Sequence, residues 1–221
     1  MTGMGDLLSP ECAEHFIATS DLVYRLQPDP TRCTLIPNGI DLERFHGRRT
    51  HGVPHAIVRI CRPEKYAEFF WYAMLPVLAD YPTTELCLAG AEGSSSHQIR
   101  TLGVIMDVAE ILAQSYLFVH TPRPGEGTRD LAVMEAMAMG VPCVLGDVPC
   151  VREAAADEGC AALVPHNDVP RLTVALRHLL DEAEEAERMG VRARRYAIEH
   201  FDMRPRVASY ERVYAAVTRR Q

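Results

Sequence analysis

The stretch YLFVHTPRPGEGTRDLAVMEAMAMGVPCVLGD, residues 116–147, decides the fold class of this chain. It starts with a short apolar run, crosses a polar loop that contains glycine, continues as an apolar helical pattern and ends in a second apolar run. Short, nearly continuous apolar runs are typical of strands that are buried on both faces. The stretch therefore predicts a strand, a loop, a helix and a further strand of a parallel sheet.

The same alternation of apolar runs and helical patterns continues through most of the chain. Strands are predicted at residues 55–62, 84–90, 99–103, 116–121, 142–147 and 160–166. Helices are predicted at residues 66–82, 107–114, 130–140 and 149–156, and the chain from residue 169 onward is predicted to be helical. This order predicts an α/β fold, a Rossmann-like parallel sheet with helices on both faces. Because ligands bind beyond the carboxyl ends of such strands, we expect the functional site at loop 122–130.

The first 54 residues have a different pattern, which indicates a domain boundary. One more strand and helix are predicted at 15–26, and a strand followed by a Pro-Asn-Gly turn at 32–45. Residues 46–54 are polar and contain glycine, so we interpret them as a linker. The predicted parts are an N-terminal part (1–45), the linker (46–54), a Rossmann-like domain (55–202) and a C-terminal helix (203–221).

Composition limits the class of protein. Of the 221 residues, 48% are hydrophobic and 24% charged, and no apolar run approaches the ~20 residues of a membrane span. We therefore expect no integral membrane segment. The seven cysteines form no CxxC pair, which favours a reduced, cytoplasmic protein. The formal net charge is −7 and no basic cluster with interleaved aromatic residues occurs, so we expect no nucleic-acid partner. Lys65 is the only lysine among 23 basic residues.

Loop 122–130 is suited to bind an anion. Gly125 and Gly127 allow the backbone to turn sharply between the strand and the helix. The first amides of the helix have no partners within the helix. These amides and the helix dipole favour a phosphate or a diphosphate, to which Thr128 can add a hydroxyl group.

Two glutamates, Glu126 and Glu135, flank this anion site. A carboxylate next to a phosphate is repulsive unless it faces a neutral part of the ligand, such as the paired hydroxyls of a sugar. A nucleoside-diphosphate sugar has hydroxyls on both sides of its diphosphate and fits this arrangement. The alternative is structural, with Glu126 as a helix cap and Glu135 half-buried and paired with an arginine. The spacing leaves both interpretations open.

Five segments taken together resemble the retaining glycosyltransferases of family 4. They are LIPNGIDLERF (35–45), RPEK (62–65), LCLAG (86–90), the loop and helix at 126–142, and CVREAAADEGCAALVPHNDVPRL (150–172). The resemblance implies a GT-B fold, in which two Rossmann-like domains face a cleft. It also implies that this chain is the C-terminal, donor-binding domain and that residues 1–45 are the remnant of an N-terminal acceptor domain. The implied donor is a UDP- or GDP-sugar, bound without a metal.

The resemblance assigns roles to both glutamates. Glu135 matches the second glutamate of the family's motif, which implies that it binds the ribose hydroxyls. Eight residues separate Glu126 from Glu135, where the family has seven, so strict counting places Gly127 at the position of the first glutamate. We expect a one-residue bulge that lets Glu126 reach the donor sugar. The alternative is that this contact is lost.

The resemblance also implies that basic groups neutralise the donor diphosphate. Lys65 fits this role together with Arg59 or Arg62, and the alternative is that these are solvated surface groups. The predicted catalytic residues are Glu126, Lys65 and Arg59. The predicted donor-binding residues are Glu135, Gly127, Thr128, Arg129, Asp130, Leu131 and Arg62.

Three further positions are expected to have structural roles. Gly39, next to Asn38, is expected to relieve a positive φ angle in the turn that enters the second domain. Glu153 is expected to cap a helix or to pack. His120 lies in an apolar strand and is expected to be a core residue rather than a ligand.

Two departures from the family pattern shape the functional prediction. Only AEGSSSHQ (91–98) links two predicted strands, which is too short for a crossover helix, so we expect a gap or an exposed face in the sheet. The resemblance also implies that most of an acceptor domain is missing from the chain. We therefore predict a glycosyltransferase that transfers a hexose with retention, or its donor-binding half. The alternative is a non-catalytic nucleotide-sugar-binding subunit that pairs with a separate acceptor-domain protein or self-associates.

Other enzyme classes fit the sequence less well. An NAD-dependent dehydrogenase is disfavoured because no GxGxxG motif follows the first strand of the Rossmann-like domain. A sugar-nucleotide epimerase or a phosphorylase of similar fold is disfavoured because no convincing His/Asp/Glu set and no lysine beyond Lys65 are present for their chemistry.

Overall fold

The structure is a computed structural model that describes residues 13–46, 56–60, 68–93, 95–125, 130–155 and 159–219. Its strands are β1 (Phe16–Ala18), β2 (Cys33–Leu35), β3 (Ala56–Ile60), β4 (Glu85–Ala89), β5 (Ile99–Thr101), β6 (Leu117–His120), β7 (Cys143–Asp147) and β8 (Ala162–Pro165). Its helices are α1 (Asp21–Arg25), α2 (Glu68–Asp80), α3 (Val108–Ala113), α4 (Leu131–Ala138), α5 (Pro149–Arg152), α6 (Val169–Asp181), α7 (Ala183–His200) and α8 (Arg204–Thr218), with a 3-10 turn at Pro30–Arg32. None of these described helices is both long and apolar enough to cross a membrane.

Six strands form one parallel sheet in the order β5-β4-β3-β6-β7-β8. In the central strand β3, Val58 lies opposite Cys87 of β4 on one side and Phe118 of β6 on the other. Successive side chains of a strand point to opposite faces. Ile57 accordingly packs in the core beneath α2 and α6, whereas Val58 packs in the core beneath α4 and α7. Helices cover both faces of the sheet, so the predicted α/β fold is confirmed.

The order of the strands reverses between β3 and β6. The chain adds β4 and β5 on one side of β3, and β6, β7 and β8 on the other. At such a switch point the loops after the two central strands diverge and leave a crevice at the carboxyl edge of the sheet. The loop after β3 carries Arg62 and Lys65, and the loop after β6 carries Glu126. The two loops predicted to bind the ligand therefore start side by side.

The short link between β4 and β5 contains no helix in its described residues. The side-chain amide of Gln98 fastens this link, since it donates to the carbonyls of Leu78, Tyr81 and Thr84 at 2.9–3.1 Å. β5 is a three-residue edge strand in which Arg100 is exposed. The gap or exposed face of the sheet that we expect from the short link stays a prediction.

Residues 13–38, which include α1, are called here the N-terminal unit. They contain a separate parallel pair of strands, β1 and β2. The unit joins the larger sheet domain at Ile40, whose amide donates to the Phe201 carbonyl and whose carbonyl accepts from the Met203 amide. A Cβ atom on Gly39 would lie 2.8 Å from the Cα atom of Met203. Gly39 does not have the positive φ angle that we expected. Close packing of two backbone segments requires glycine here instead.

Helices α4 and α7 meet through two glycines. A Cβ atom on Gly190 would lie well inside 3.0 Å of the Gly140 carbonyl oxygen, closer than real Cβ atoms come. Arg194 of α7 donates to the carbonyl of Ala138, at the end of α4, and to the carbonyl of Phe45 at 3.1 Å. Through these contacts α7 fixes the carboxyl end of α4.

Substitution of Gly190 by alanine is expected to destabilise the protein by roughly 1–3 kcal/mol, because the added methyl group pushes α7 away from α4. At an open helix position the same change would stabilise by about 1 kcal/mol, so the sign of the effect tests the contact. Urea denaturation followed by circular dichroism measures the change. Val191→Ala is the control, since Val191 is exposed on the same helix. A higher free energy of unfolding for Gly190→Ala contradicts the contact.

Candidate functional site

The loop after β6 turns at Gly125, which has a φ angle of 83° and therefore adopts the left-handed conformation that favours glycine. This confirms the sharp turn expected at that position. The predicted site residues Glu126, Gly127, Thr128 and Arg129 lie outside the described residues. So do Arg62 and Lys65, on the loop after β3. The predicted residues that the structure places are Arg59, Asp130, Leu131 and Glu135.

Asp130 caps the amino end of α4. Its Oδ1 atom accepts hydrogen bonds from the amides of Ala132 at 3.0 Å and Val133 at 3.3 Å. Its Oδ2 atom lies 2.8 Å from Nε2 of His120 on β6. Burial raises the pKa of Asp130, but the charge of His120 and the hydrogen bonds from His120 and the two amides outweigh it, so the pKa lies below its ordinary value. Asp130 is therefore an ionised group that joins α4 to β6.

This cap reduces the number of free amides in the anion site that we expected at the start of α4. The amides of Ala132 and Val133 are already bonded to Asp130 and are not available to a phosphate. Among the described residues, none accepts from the amide of Leu131, whose side chain is exposed. The expectation of a cradle built from all the first amides of α4 is therefore wrong. The carboxylate of Asp130 also repels an anion, so this residue positions the helix rather than binding phosphate.

His120 is buried in the sheet, with its ring stacked on Phe118 at 6.0 Å between centroids. Its Nε2 atom faces Asp130, as described above. No group of three or more His, Cys, Asp and Glu residues in the described ranges is arranged to hold a metal ion. His120 therefore has the core position that the sequence predicted, with an added role in holding Asp130.

Glu135 lies on α4 and is half-buried. Burial, followed by the negative charge of Asp130, raises its pKa to about 7, and the positive charge of Arg44 opposes this shift. Near neutral pH the carboxyl group is thus divided between its neutral and its ionised form. Perturbed pKa values of this kind are common at functional sites.

Arg44 was missed as a site residue by the sequence analysis. It belongs to the segment that links the N-terminal unit to the sheet domain, but its side chain reaches the loop before α3. There its Nη2 atom donates to the Met106 carbonyl at 3.1 Å and lies 3.5 Å from Oδ1 of Asp107. Its charge also acts on Glu135. The sequence signal is the segment 35–45, which contributes to the resemblance but in which only Asn38 and Gly39 are given a role.

Arg59 has an internal position. Its side chain is fully buried. Its Nη1 atom donates to Oγ1 of Thr121 at 3.1 Å, and its guanidinium lies 4.1 Å from the centroid of the Phe70 ring. A fully buried guanidinium does not contact a ligand, so the prediction that Arg59 is catalytic is corrected to a role in holding the start of the β6–α4 loop. Arg62 remains the arginine candidate for the diphosphate.

Glu153 caps a helix, which is one of the two roles that we expected for it. Its carboxylate accepts from the amides of Asp21 and Leu22, at the start of α1, with both distances 3.1 Å. The capped helix is not the one that Glu153 follows in sequence but one in the N-terminal unit. This pairing of distant elements was not visible in the sequence.

Comparison with known protein families gives one match across the sheet domain. The family described as glycosyl transferases group 1 matches residues 55–182, which is more than half of the chain. The matched region begins at β3 and ends just after α6, so it contains both loops at the switch point.

Curated relatives and solved structures agree with this match. The MMP alpha-(1->4)-mannosyltransferase of Mycolicibacterium hassiacum is 28% identical over 90% of this chain and 53% of its own length. The phosphatidyl-myo-inositol mannosyltransferase of Mycolicibacterium smegmatis is 27% identical over 91% of this chain and 57% of its own length. The crystal structure of Anabaena Alr3699/HepE in complex with UDP-glucose has a TM-score of 0.76 at 16% identity, and the match covers 92% of this chain and 64% of that one. The chain thus spans little more than half the length of the curated relatives it matches, and its fold is that of GT-B glycosyltransferases.

Substitution of Glu135 by glutamine is expected to change the pH dependence of stability. The fold holds the pKa of Glu135 at about 7, above its ordinary value of 4.5, so folding favours the protonated form. The stabilising contribution of Glu135 is complete below pH 4.5 and is lost as the pH rises through about 7. Between these limits the wild type is expected to lose roughly 1–3 kcal/mol more stability than Glu135→Gln, with allowance for solvent screening. Urea denaturation across this pH range measures both proteins, and parallel stability curves contradict the expectation.

Proposed function

The chain belongs to the family of glycosyl transferases group 1, and from this premise we propose that it is the donor-binding half of a glycosyltransferase. It binds a nucleoside-diphosphate sugar and takes part in the transfer of the hexose to an acceptor, with retention of configuration as in the family 4 enzymes that it resembles. In this proposal residues 55–202 form the donor-binding domain, residues 46–54 are the linker and residues 203–221 are the C-terminal helix. Residues 1–45 belong to a second domain.

The position and chemistry of Glu135 carry this proposal. The residue lies on α4, which follows one of the two loops that diverge at the switch point. Burial has removed part of the solvation of its carboxyl group, as the raised pKa indicates. A ligand that donates two hydrogen bonds to the carboxylate restores what burial has removed, because bonds to a charged acceptor are stronger than neutral ones. The adjacent hydroxyls of a ribose provide both bonds.

Arg44 supports the same role of Glu135. A positive charge next to a carboxylate favours the ionised form, which is the form that accepts from two hydroxyls. The arginine is half-exposed, with 51% of its side chain accessible, so its remaining donors are open to a ligand. Arg44 is therefore assigned to favour the ionised form of Glu135 and to offer further donors to the ligand.

The diphosphate is assigned to basic groups near the switch point. Lys65 and Arg62 lie on the loop after β3, and the loop after β6 supplies Gly127, Thr128, Arg129 and the amide of Leu131. Positive charges and amides that face the departing diphosphate stabilise the negative charge that develops as the sugar leaves. Glu126 lies on the same loop and is assigned to the sugar hydroxyls. Apart from the amide of Leu131, these assignments rest on the resemblance and on where the two loops start.

The names of the relatives guide the choice of donor. Two curated relatives are mannosyltransferases, and the solved structure named above contains UDP-glucose. GDP-mannose and UDP-glucose therefore cover both bases that the sequence predicted for the donor. The acceptor is assigned to a domain outside the region that this chain shares with those relatives.

A second candidate function is a non-catalytic donor-binding subunit that pairs with a separate acceptor-domain protein. The observation that favours it is the two-stranded N-terminal unit, because a pair of strands is seldom stable without further strands or helices. A cavity of about 360 Å³ lies between this unit and α8, lined among others by His15, Thr34 and Arg212. Sugar transfer by the purified chain alone would rule out this function in favour of the first.

Isothermal titration with GDP-mannose and UDP-glucose tests donor binding. At least one of the two is expected to bind with a dissociation constant below about 1 mM. Glu135→Ala is expected to weaken that binding by roughly 1–3 kcal/mol, because charge-assisted hydrogen bonds to the ribose are lost. Glu199→Ala is the matched control, since Glu199 is exposed near the end of α7. Absence of binding for both donors at millimolar concentration contradicts the proposed function.

Donor affinity is also expected to rise with pH through about 7, the pKa of Glu135. Only the ionised carboxylate accepts from both ribose hydroxyls, so affinity falls by up to about tenfold per pH unit below the pKa. The diphosphate of a nucleotide sugar is a diester whose own charge is constant in this range. Titrations between pH 5.5 and 8.5 (approximate limits that bracket the pKa) measure the profile, and Glu135→Gln is expected to flatten it. A wild-type affinity that is independent of pH contradicts the role of Glu135.

A further inference from the structure

Glu153 joins two parts of the fold that are far apart in sequence. Its Oε2 and Oε1 atoms accept from the amides of Asp21 and Leu22, respectively, each at 3.1 Å. The side chain of Ser20 accepts from the amide of Val23 at 3.2 Å. The first three amides of α1 are therefore bonded, two of them by a carboxylate that follows α5.

Helix α1 depends on this contact because it is short and has no fully buried residue. It has five residues, and none of them is buried. Helices of this length are marginal without tertiary contacts, and a carboxylate at the amino end interacts favourably with the helix dipole. The ion pair between Asp21 and Arg25 is exposed and adds little. Among the residues that the structure describes, the side chain of Glu153 thus ties the amino end of α1 to the sheet domain.

The contact lies at the carboxyl edge of the six-stranded sheet. Glu153 directly follows Arg152, whose Nη2 atom donates to Oδ2 of Asp147 at the end of β7, at 2.6 Å. The buried thiol of Cys150 has a pKa raised to about 11, by burial first, then by the charge of Asp130, with a smaller effect of Glu153. Val151 and Ala154, on either side of Glu153, pack in the same core as Val133 and Met134 of α4. Helix α4 also carries Glu135.

The N-terminal unit is also attached at a second place, the backbone bridge of Ile40 with Phe201 and Met203. Gly39 packs against Met203 without room for a side chain, so this bridge is a close contact of two backbone segments. Helix α8 begins directly after the bridge and lines a cavity with the N-terminal unit. Among the described residues, the backbone pivot at residues 39–40 and the side chain of Glu153 are thus two contacts that locate the unit relative to the sheet.

We propose that Glu153 is a positioning residue that holds the N-terminal unit across the carboxyl edge of the sheet, beside the site of Glu135. When its two hydrogen bonds break, the unit and α8 remain attached at the backbone pivot and can turn about it. The consequence for the donor rests on the proposed function: if the donor binds more tightly when the Glu153 contact is formed, donor binding stabilises that contact by the same factor.

Hydrogen exchange of the full chain, followed by NMR, tests the contact without any ligand. Glu153→Ala is expected to speed exchange of the Asp21 and Leu22 amides by about tenfold or more, because both lose a charged acceptor. Glu153→Gln is expected to have a smaller effect, since its amide oxygen still accepts one bond. Glu110→Gln makes the same charge change on α3 and is expected to leave α1 unchanged. Exchange at Asp21 and Leu22 that Glu153→Ala leaves unaltered overturns the proposal.

A second exchange experiment separates positioning from simple helix capping. Saturating GDP-mannose or UDP-glucose, whichever binds, is expected to slow exchange at Asp21 and Leu22 in the wild type and to have no such effect in Glu153→Ala. Ser20→Ala removes only the cap that α1 makes for itself, so it is expected to keep the effect of the donor. If a donor binds and exchange at Asp21 and Leu22 does not respond, the positioning role is wrong. If neither donor binds, the proposed function fails, while the ligand-free experiment still decides the contact.

Discussion

The candidate site depends on the contacts that the carboxylate of Asp130 makes with α4 and with β6. One oxygen bonds two amides at the start of α4, and the other faces His120 on β6, so a single side chain sets the helix against the sheet. At the other end, Arg194 and the glycine contact between α4 and α7 fix the end of the helix. Glu135 lies between these two fixed ends. Its position is therefore set by the fold before a ligand arrives, which reduces the cost of ordering on binding.

Charge at the site is balanced by groups from two parts of the chain, α4 with its cap and the segment before β3. Burial and Asp130 favour the neutral form of Glu135, while Arg44 favours the ionised form. Arg44 comes from the segment that links the N-terminal unit to the sheet domain, and it also bonds the loop before α3. The linking segment is thus part of the site as well as a connection. The Glu153 contact ties a further element of the N-terminal unit, the start of α1, to the sheet domain.

The sequence predicted the fold well because its signals are periodic and local. The alternation of apolar runs and helical patterns predicted the strands and helices of the six-stranded sheet, and the short 91–98 link predicted the absence of a helix after β4. The predicted helix at 107–114 begins with an aspartate, and Asp107 indeed caps α3, because a cap is a local signal. Asp130 carries the same signal, but its position next to an apolar helix was interpreted as part of an anion site.

What the sequence did not predict depends on contacts between distant segments. Gly39 is required by Met203, and Glu153 bonds a helix in the N-terminal unit. Arg59 is expected near the ligand, but its side chain is fully buried, with contacts to Thr121 and Phe70. Alternation along a strand predicts which face a side chain takes and does not predict what lies on that face.

The central claim is that Glu135 binds the ribose of the donor in its ionised form. A carbon-13 NMR titration of the Glu135 carboxyl group, with and without saturating nucleotide sugar, tests this most directly. Without ligand the account predicts a pKa of about 7. With ligand it predicts a clear decrease, because hydrogen bonds from the hydroxyls favour the carboxylate. A pKa that is the same in the free protein and in the complex would contradict the account.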